Sequence, residues 1–318
     1  MTFRIRDADL GDADLETIAA IVNETTPDDP TSVDEMRWSS ATYPGSSRLI
    51  LEAGERPVGV ASVGRIYVLP PDFDGFWGTI NVLPAARRRG FGSALLSAIA
   101  DRARAAGKVA LHVPASDGRP EGIDFLLHRG FREYERSKTV HLDLTGLAAP
   151  AVDLPAGVSL TTLAERPDLI DGVHALAIEA FADIPGGDAP MAPGDLAEFR
   201  ARDVDRPSIP HAAFFIATEE ATDRVVGYAC LLLQPPHRRR IAWHDMTAVA
   251  RDWRGRGLAG ALKRATIGWA IADGFGVLEA GNDTDNLAMR AVNARLGYVP
   301  SPDFVILRGP LDGGMMDR

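Results

Sequence analysis

The stretch WHDMTAVARDWRGRGLAGALK, from Trp243 to Lys263, decides the fold of this chain. It begins as a strand-like run and continues as a helix, and Gly255, Gly257 and Gly260 lie at the turn in the order GxGxxG. That spacing is typical of loops that bind the pyrophosphate of a dinucleotide. Whether the glycines bind such a cofactor, or another phosphate on a different fold, depends on the elements around the turn.

The same strand, loop and helix pattern occurs twice. The run INVLPAARRRGFGSALLSAIADRARAAG from Ile80 aligns without a gap to TAVARDWRGRGLAGALKRATIGWAIADG from Thr247, an offset of 167 residues. The segment LAAPAVDLPAG between the copies is rich in Pro, Ala and Gly, as linkers are. We therefore predict one domain over residues 1–147, a linker over 148–157 and a second domain over 158–318.

Composition limits the classes of function. The 318 residues are 46% hydrophobic and 25% charged, and the formal net charge of −10 gives no general attraction to nucleic acid or anionic lipid. The histidines and the single Cys230 show no metal-ligand spacing, so we expect no metal site. The charged N-terminus and the lack of a long apolar run predict a cytoplasmic protein without a membrane partner, and the net charge predicts no nucleic-acid partner. We expect a monomer or a homodimer.

The order of elements argues against a dinucleotide fold. Each copy is predicted to contain a helix, an antiparallel hairpin, a third strand, the glycine loop with a long helix, a strand, a short helix and a last strand. The fold class is therefore α/β (α+β), with two tandem domains, each a mixed, mostly antiparallel sheet flanked by helices. A dinucleotide domain has its GxGxxG in the first turn. Glu279 stands where a ribose-binding acid would follow, so an NAD- or FAD-binding oxidoreductase remains an alternative.

The two copies share RxxGxG or RxxGxA in this loop. Small residues at a helix N-terminus let a phosphate approach N–H groups that have no partner within the helix. The candidate cofactor-binding residues are, in the first copy, Arg87, Arg88, Arg89, Gly90, Phe91 and Gly92, and, in the second, Arg254, Gly255, Arg256, Gly257, Leu258 and Ala259.

These motifs resemble those of the GNAT superfamily of N-acetyltransferases. The family signature is a strand ending in Val, then RGxGxG/A opening a long helix, and later an Asn-containing helix ending in LGF or LGY. In this chain the strand, loop and long helix are TAVARDWRGRGLAGALK, and the later helix is in GNDTDNLAMRAVNARLGY. The resemblance covers both halves and is to the tandem two-domain bacterial type, a mycothiol-synthase-like arrangement. It implies that acetyl-coenzyme A (acetyl-CoA) binds the loop, with its pantetheine arm beside Val249, and beside Val82 in the first copy. It also implies that Asn286 contacts coenzyme A and that the acetyl group passes to a primary amine of a small molecule.

Attack of an amine on a thioester requires a base, a polarised carbonyl and a departing thiolate. The resemblance implies that the backbone N–H at Val249 polarises the carbonyl. Regular strand alternation puts on one face Trp243, Asp245, Thr247 and Val249, and on the other His244, Met246 and Ala248. Asp245 is therefore the first candidate for the base. His244 has the better intrinsic pKa for that task but is expected to point away.

The acid departs from the family pattern. Many members carry a Tyr before LGF, whereas this chain has Asn293, whose amide could orient the cofactor or stabilise negative charge but cannot give up a proton. Tyr228 or water could substitute. In the first copy Leu126 takes this position and Gly78 takes that of Asp245, so we predict that the N-terminal domain is catalytically degenerate.

The missing Tyr leaves a second alternative open, a non-catalytic protein that binds and senses acyl-coenzyme A. Acceptor specificity is expected to come from the cleft between the copies and from residues 181–199, FADIPGGDAPMAPGDLAEF. That segment is too irregular to identify the acceptor.

Overall fold

The computed structural model describes residues 2–186, 189–235 and 240–311. Residues 187 and 188, within the segment expected to set acceptor specificity, lie outside the described part. The chain divides into two compact units. Unit 1 contains Met1–Arg136 together with Asp303–Arg318, and unit 2 contains Ser137–Pro302.

The strands include the predicted ones in the predicted order, together with three that were not predicted: one before the first helix of each copy and a short one before the last strand of the second copy. They are β1 (Phe3–Asp7), β2 (Ser47–Ala53), β3 (Arg56–Arg65), β4 (Gly75–Val82), β5 (Ala110–Ser116), β6 (Arg132–Asp143), β7 (Val158–Thr162), β8 (Phe214–Glu219), β9 (Val225–Leu233), β10 (Ile241–Val249), β11 (Val277–Asp283), β12 (Val299–Pro300) and β13 (Phe304–Pro310). The helices are α1 (Asp12–Thr25), α2 (Val33–Thr42), α3 (Phe91–Ala105), α4 (Pro120–Leu127), α5 (Ile170–Phe181), α6 (Leu196–Phe199), α7 (Leu258–Ala272) and α8 (Leu287–Arg295). A π-helical turn, Arg200–Val204, continues α6.

Unit 1 is one sheet with the strand order β1-β2-β3-β4-β5-β13. Only the β4–β5 pair is parallel. Apolar residues recur every three or four positions along α3, so one face of the helix packs on the sheet. Leu95 and Ile99 of α3 and Leu111 of β5 are fully buried there.

Unit 2 repeats this order as β7-β8-β9-β10-β11-β6, and the parallel pair is β10–β11. The helix α7 follows its glycine loop as α3 does in unit 1, and Leu262 and Ala270 of α7 are fully buried. The hairpins β2–β3 and β8–β9 are antiparallel, as predicted. The predicted fold class is confirmed: in each unit the strands form mixed, mostly antiparallel sheet structure flanked by helices.

The last strand of each half belongs to the other unit. The part of β6 from Ser137 pairs with β11 in unit 2, whereas β13 pairs with β5 in unit 1. The compact units therefore differ from the predicted domains 1–147 and 158–318. Alternation along a strand predicts which face is buried but does not reveal which strand lies beside it, and this exchange was not foreseen. In the described residues, no helix is both long and apolar enough to cross a membrane.

Candidate functional site

The two glycine loops have the same backbone conformation. Gly255 and Gly257 have φ of 75° and 84°, and the matching Arg88 and Gly90 have φ of 61° and 85°. These values lie in the left-handed region that glycine adopts without strain. The third glycine of GxGxxG, Gly260, lies inside α7 without a positive φ. The loop is thus built by the first two glycine positions.

Each loop exposes the first N–H groups of a long helix. In α7 the N–H of Ala261 donates to Gly257 O (3.1 Å), and in α3 the N–H of Ala94 donates to Gly90 O (3.0 Å). Neither helix has a side-chain cap. The N–H groups before Ala261 and Ala94 therefore lack a partner within the helix and, with the helix dipole, suit a phosphate.

The arginines at the start of each loop hold it in place. Arg254 Nε donates to Val249 O (3.0 Å), and its Nη2 lies 2.7 Å from Asp183 Oδ2. Arg251 and Arg254 hold the pKa of Asp183 well below its usual range. In unit 1, Arg87 makes the same backbone contact, 3.1 Å from Val82 O. The structure therefore gives these guanidinium groups a bracing contact, and their predicted contact with a cofactor stays a prediction.

A wedge opens between the two parallel strands beside each loop. The β10–β11 register runs from Ile241 opposite Val277 to His244 opposite Ala280 and ends there. The β4–β5 register ends in the same way, at Trp77 opposite His112 in unit 1. The chain beyond these pairs separates toward the glycine loop. In unit 2 we call the space between β10 and β11 beyond His244 and Ala280 the wedge.

A β-bulge distinguishes β10 from its counterpart in unit 1. His244 lies opposite Leu231, and Thr247 lies opposite Ala229, so three steps along β10 match two along β9. The extra residue interrupts the ladder, as a bulge does. The equivalent β3–β4 pair keeps one register from end to end.

The bulge corrects the predicted faces of β10. Because Ala229 and Leu231 share a face of β9, Thr247 and Val249 lie on the face of His244. Trp243 and Asp245 lie on the other face. The prediction that Thr247 and Val249 share the face of Asp245 is therefore wrong, because one inserted residue reverses the alternation after it. That Asp245 and His244 point to opposite faces is confirmed.

The ladder directs the N–H of Val249 toward the wedge. Ala250 N–H donates to Val226 O (2.9 Å), and hydrogen bonding alternates along an antiparallel strand. The N–H of the preceding Val249 thus points away from β9, to the side from which β11 has separated. The bond from Leu83 to β3 gives Val82 the same orientation in unit 1.

A second carboxyl lies near Asp245. Asp203, on the π-helical turn, has a pKa raised to about 7, first by burial and then by the negative charge of Asp245. Its Oδ2 is buried without a hydrogen-bond partner. The hydroxyl of Tyr228 is also buried without a partner, and burial raises its pKa. Sequence reasoning missed Asp203, because the irregular run RARDVDRP carries no periodic signal of a buried acid.

On the other face of β10, His244 is buried in a polar network. Its Nε2 is hydrogen-bonded to the hydroxyl of Tyr298, and its Nδ1 lies 3.4 Å from Thr266 Oγ1. Burial, and then the charge of Lys263, hold the pKa of His244 well below its usual range. The structure therefore places His244 as a neutral buried group, away from Asp245.

The network continues through Lys263 to Asn293. Lys263 is 2% exposed, and its Nζ donates to Asn293 Oδ1 (2.7 Å). Asn293 Nδ2 in turn donates to Asn282 Oδ1 (2.7 Å). Burial lowers the pKa of Lys263 to about 7. Sequence reasoning did not single out this lysine, although a charge within the apolar run GLAGALKRATIGWAIA was a usable signal.

Unit 1 has apolar side chains throughout the corresponding positions. At the offset of 167 residues, Lys263, Asn293, Asn282, Thr266 and Tyr298 are replaced by Leu96, Leu126, Ala115, Ile99 and Phe131. His244 lies before the bulge, and its counterpart in the register of unit 1 is Gly78. In addition, a Cβ built on Gly92 of unit 1 would lie 3.3 Å from the ring of Phe125. The anion-binding end of α3 is thus more crowded than that of α7, where Ala259 already carries a Cβ.

The structure also gives the surroundings of Asn286 and Cys230. Asn286 Oδ1 accepts a hydrogen bond from Met289 N–H (3.1 Å) and caps α8; its contact with coenzyme A stays a prediction. Cys230 is buried, with its Sγ 4.0 Å from Asp245 Oδ2. Within residues 2–186, 189–235 and 240–311, no three His, Cys, Asp or Glu side chains are grouped so as to hold a metal ion.

Comparisons with known proteins indicate the family of this chain. The model described as "Acetyltransferase (GNAT) family" matches residues 15–131 and 178–298. The chain is 30% identical over 254 residues to a mycothiol acetyltransferase of Streptomyces coelicolor, covering 79% of this chain and 75% of the relative. It is 28% identical over 222 residues to a mycothiol acetyltransferase of Amycolatopsis mediterranei, covering 68% of this chain and 70% of the relative.

Solved structures share the fold over nearly the whole chain. A tandem GNAT protein from the clavulanic acid biosynthesis pathway aligns with a TM-score of 0.77 and 20% identity, covering 98% of this chain and 99% of that one. A GCN5-related N-acetyltransferase from Sphaerobacter thermophilus aligns with a TM-score of 0.69 and 19% identity, covering 97% and 96%. At these identities the likeness is one of fold.

Proposed function

Because the chain belongs to the acetyltransferase (GNAT) family, we propose that it transfers an acetyl group from acetyl-CoA to a primary amine of a small molecule, with the chemistry in unit 2. The observation that carries the assignment to unit 2 is the bulge of β10, which separates Asp245 from the face of Val249. The regular β4 of unit 1 has no residue to match the inserted one. Counted back from Val82 and Val249, Gly78 opposite Val63 corresponds to His244 opposite Leu231, so the predicted match of Gly78 to Asp245 is wrong.

The donor fits the residues of unit 2. Its pyrophosphate would accept hydrogen bonds from the first N–H groups of α7, at the loop that Gly255 and Gly257 shape. The pantetheine arm would lie in the wedge, where the N–H of Val249 is free to polarise the thioester carbonyl. Acetyl-CoA supplies the activated acetyl group, and the protein supplies orientation and proton transfer.

The acceptor amine needs a group that binds it as a cation and then takes a proton. Asp245 is exposed on the face away from His244, and the buried Asp203 acts on it electrostatically. Two neighbouring carboxyls favour an ammonium, and the pKa of about 7 at Asp203 suits proton transfer at neutral pH. We assign the base to Asp245 and a supporting role to Asp203.

Unit 1 and the acceptor each have a place in this proposal. The apolar residues Leu96 and Leu126 support a unit 1 that does not catalyse. Two relatives bear the name mycothiol acetyltransferase, and this supports our proposal that the acceptor is a small molecule.

Two measurements test this function. A thermal-shift series with acetyl-CoA, NAD and FAD should show stabilisation by acetyl-CoA; stabilisation by NAD or FAD alone would favour an oxidoreductase and refute the proposal. Thiol release from acetyl-CoA should then be followed with a panel of amines for the wild type and Asp245→Asn. Binding without release for any amine would favour a sensing protein, and an unchanged rate in Asp245→Asn would remove Asp245 as the base.

A further inference from the structure

Lys263 is a buried cation without a matching anion. In the part of the chain that the structure describes it forms no ion pair, and its hydrogen bond goes to the neutral amide oxygen of Asn293. An ammonium group in this environment costs free energy that a carboxylate would offset. A lysine donates up to three hydrogen bonds, and the bond to Asn293 uses one of them.

The network around Lys263 reaches from α7 to the wedge. Asn282 lies on β11 two residues beyond Ala280, where the pairing with β10 ends. Asn293, which joins Lys263 to Asn282, stands on α8. The ammonium is therefore connected, through two amide side chains, to the strand that borders the wedge.

The fold does not require this network. Unit 1 has the same order of elements, and its residues at the positions of Lys263, Asn293 and Asn282 are Leu, Leu and Ala. Leu96 and Leu126 are buried there, in the main core of unit 1. A polar network that is replaced by apolar packing in the duplicate unit points to a purpose other than stability.

We propose that Lys263 is the cation that stabilises the coenzyme A thiolate as it leaves. The inference rests on the proposed function. When the amine nitrogen attacks the thioester carbon, the C–N bond forms, the C–S bond breaks and its electron pair goes to sulfur. The proton lost by the amine passes to Asp245. The charge of the Lys263 ammonium offsets that of the thiolate, which takes its proton from solvent when it dissociates.

The charges around Lys263 are consistent with this role. Among the described residues, the titratable groups that face it are His244 of β10, held neutral by burial, and Tyr298, whose ring centroid lies 5.4 Å from Nζ. Neither supplies a negative charge at neutral pH, because burial raises the pKa of Tyr298 well above its usual range. A thiolate would supply that charge and would keep Lys263 protonated.

The test measures the thiol of bound coenzyme A by its thiolate absorbance as a function of pH. The free thiol has a pKa of about 8.5. We expect the pKa of the bound thiol to be at least one unit lower in the wild type and to return to the free value or above in Lys263→Met. We expect kcat for acetyl transfer to fall about 10- to 100-fold in Lys263→Met, with little change in the KM for acetyl-CoA.

Arg264→Met is the matched control, because it removes a positive charge from the next residue of α7. It should keep the wild-type thiol pKa. A thiol pKa equal to the free value in the wild-type complex would by itself overturn the inference. Equal kcat values for the wild type and Lys263→Met would also overturn it. If the wild type fails to bind coenzyme A, the proposed function itself falls, so the two failures are distinguishable.

Discussion

Replacing Lys263 with Met is expected to stabilise the protein in a way that depends on pH. The pKa of Lys263 is about 7 in the folded protein, against 10.5 for a free lysine, because the side chain is almost completely buried. Between these values the unfolded chain holds a proton that the folded protein lacks. The free energy of unfolding of the wild type therefore rises with pH in that window, and the penalty is complete below pH 7.

The magnitude follows from the interval between the two pKa values. It spans about 3.5 pH units, and at ~1.4 kcal/mol per unit the buried ammonium costs about 5 kcal/mol at and below pH 7. Lys263→Met lacks this cost but also loses the hydrogen bond to Asn293, worth roughly 1 kcal/mol. The variant should be more stable by a few kcal/mol at pH 6 and should lose this advantage toward pH 10.

The assay is urea unfolding of the whole chain at half-unit steps from pH 6 to pH 10, for the wild type and the variant. Subtracting the two curves removes the contribution of groups that titrate alike in both proteins. The difference should fall by about 1.4 kcal/mol per pH unit above pH 7. A difference that is flat with pH, or a variant that is less stable at pH 6, would refute the desolvated ammonium on which the role of Lys263 depends.

Three other changes have definite expected outcomes. Gly257→Ala forces an alanine into the left-handed region, which costs roughly 1 kcal/mol, and should weaken acetyl-CoA binding measured by calorimetry. Gly260→Ala is the control and should keep the wild-type affinity. Equal affinities of the two variants would contradict the loop geometry. Asp203→Asn should melt above the wild type at pH 8, where the buried carboxylate is charged, and the difference should vanish below about pH 4. A chain that ends at Pro302 lacks β13 and with it two fully buried side chains of unit 1. Their burial contributes about 3–6 kcal/mol to the free energy of unfolding. Hydrogen exchange should therefore show unprotected amides in α3 while the amides of α7 stay protected.

The repeated loop was predictable because its backbone depends on local sequence. Glycines with positive φ, a helix opened by small residues and an offset of 167 residues all leave a mark in the residues themselves. Gly90 and Gly257 match in conformation, as the alignment required. The antiparallel hairpin before each loop was equally readable, and it separated this fold from a dinucleotide domain.

The rest depended on contacts between distant parts of the chain. The exchange of β6 and β13 cannot be predicted from either strand alone, because the residues of a strand do not indicate which strand lies beside it. The bulge between His244 and Thr247 inserts one residue without any glycine or proline to mark it, and the predicted faces therefore failed from Thr247 onward. The pKa of Lys263 is lowered by burial, and that of Asp203 is raised by burial and by the charge of Asp245; both depend on the packing of α7 and of the π-helical turn.

The most direct test of the central claim compares one substitution in the two matching loops. Gly257→Glu and Gly90→Glu place the same negative side chain at the same left-handed position, in unit 2 and unit 1 respectively. Acetyl transfer should be measured as thiol released from acetyl-CoA with an amine that the wild type accepts. The account predicts that Gly257→Glu abolishes release and that Gly90→Glu keeps most of it. Loss of activity in Gly90→Glu, with transfer retained in Gly257→Glu, would place the chemistry in unit 1 and contradict the account.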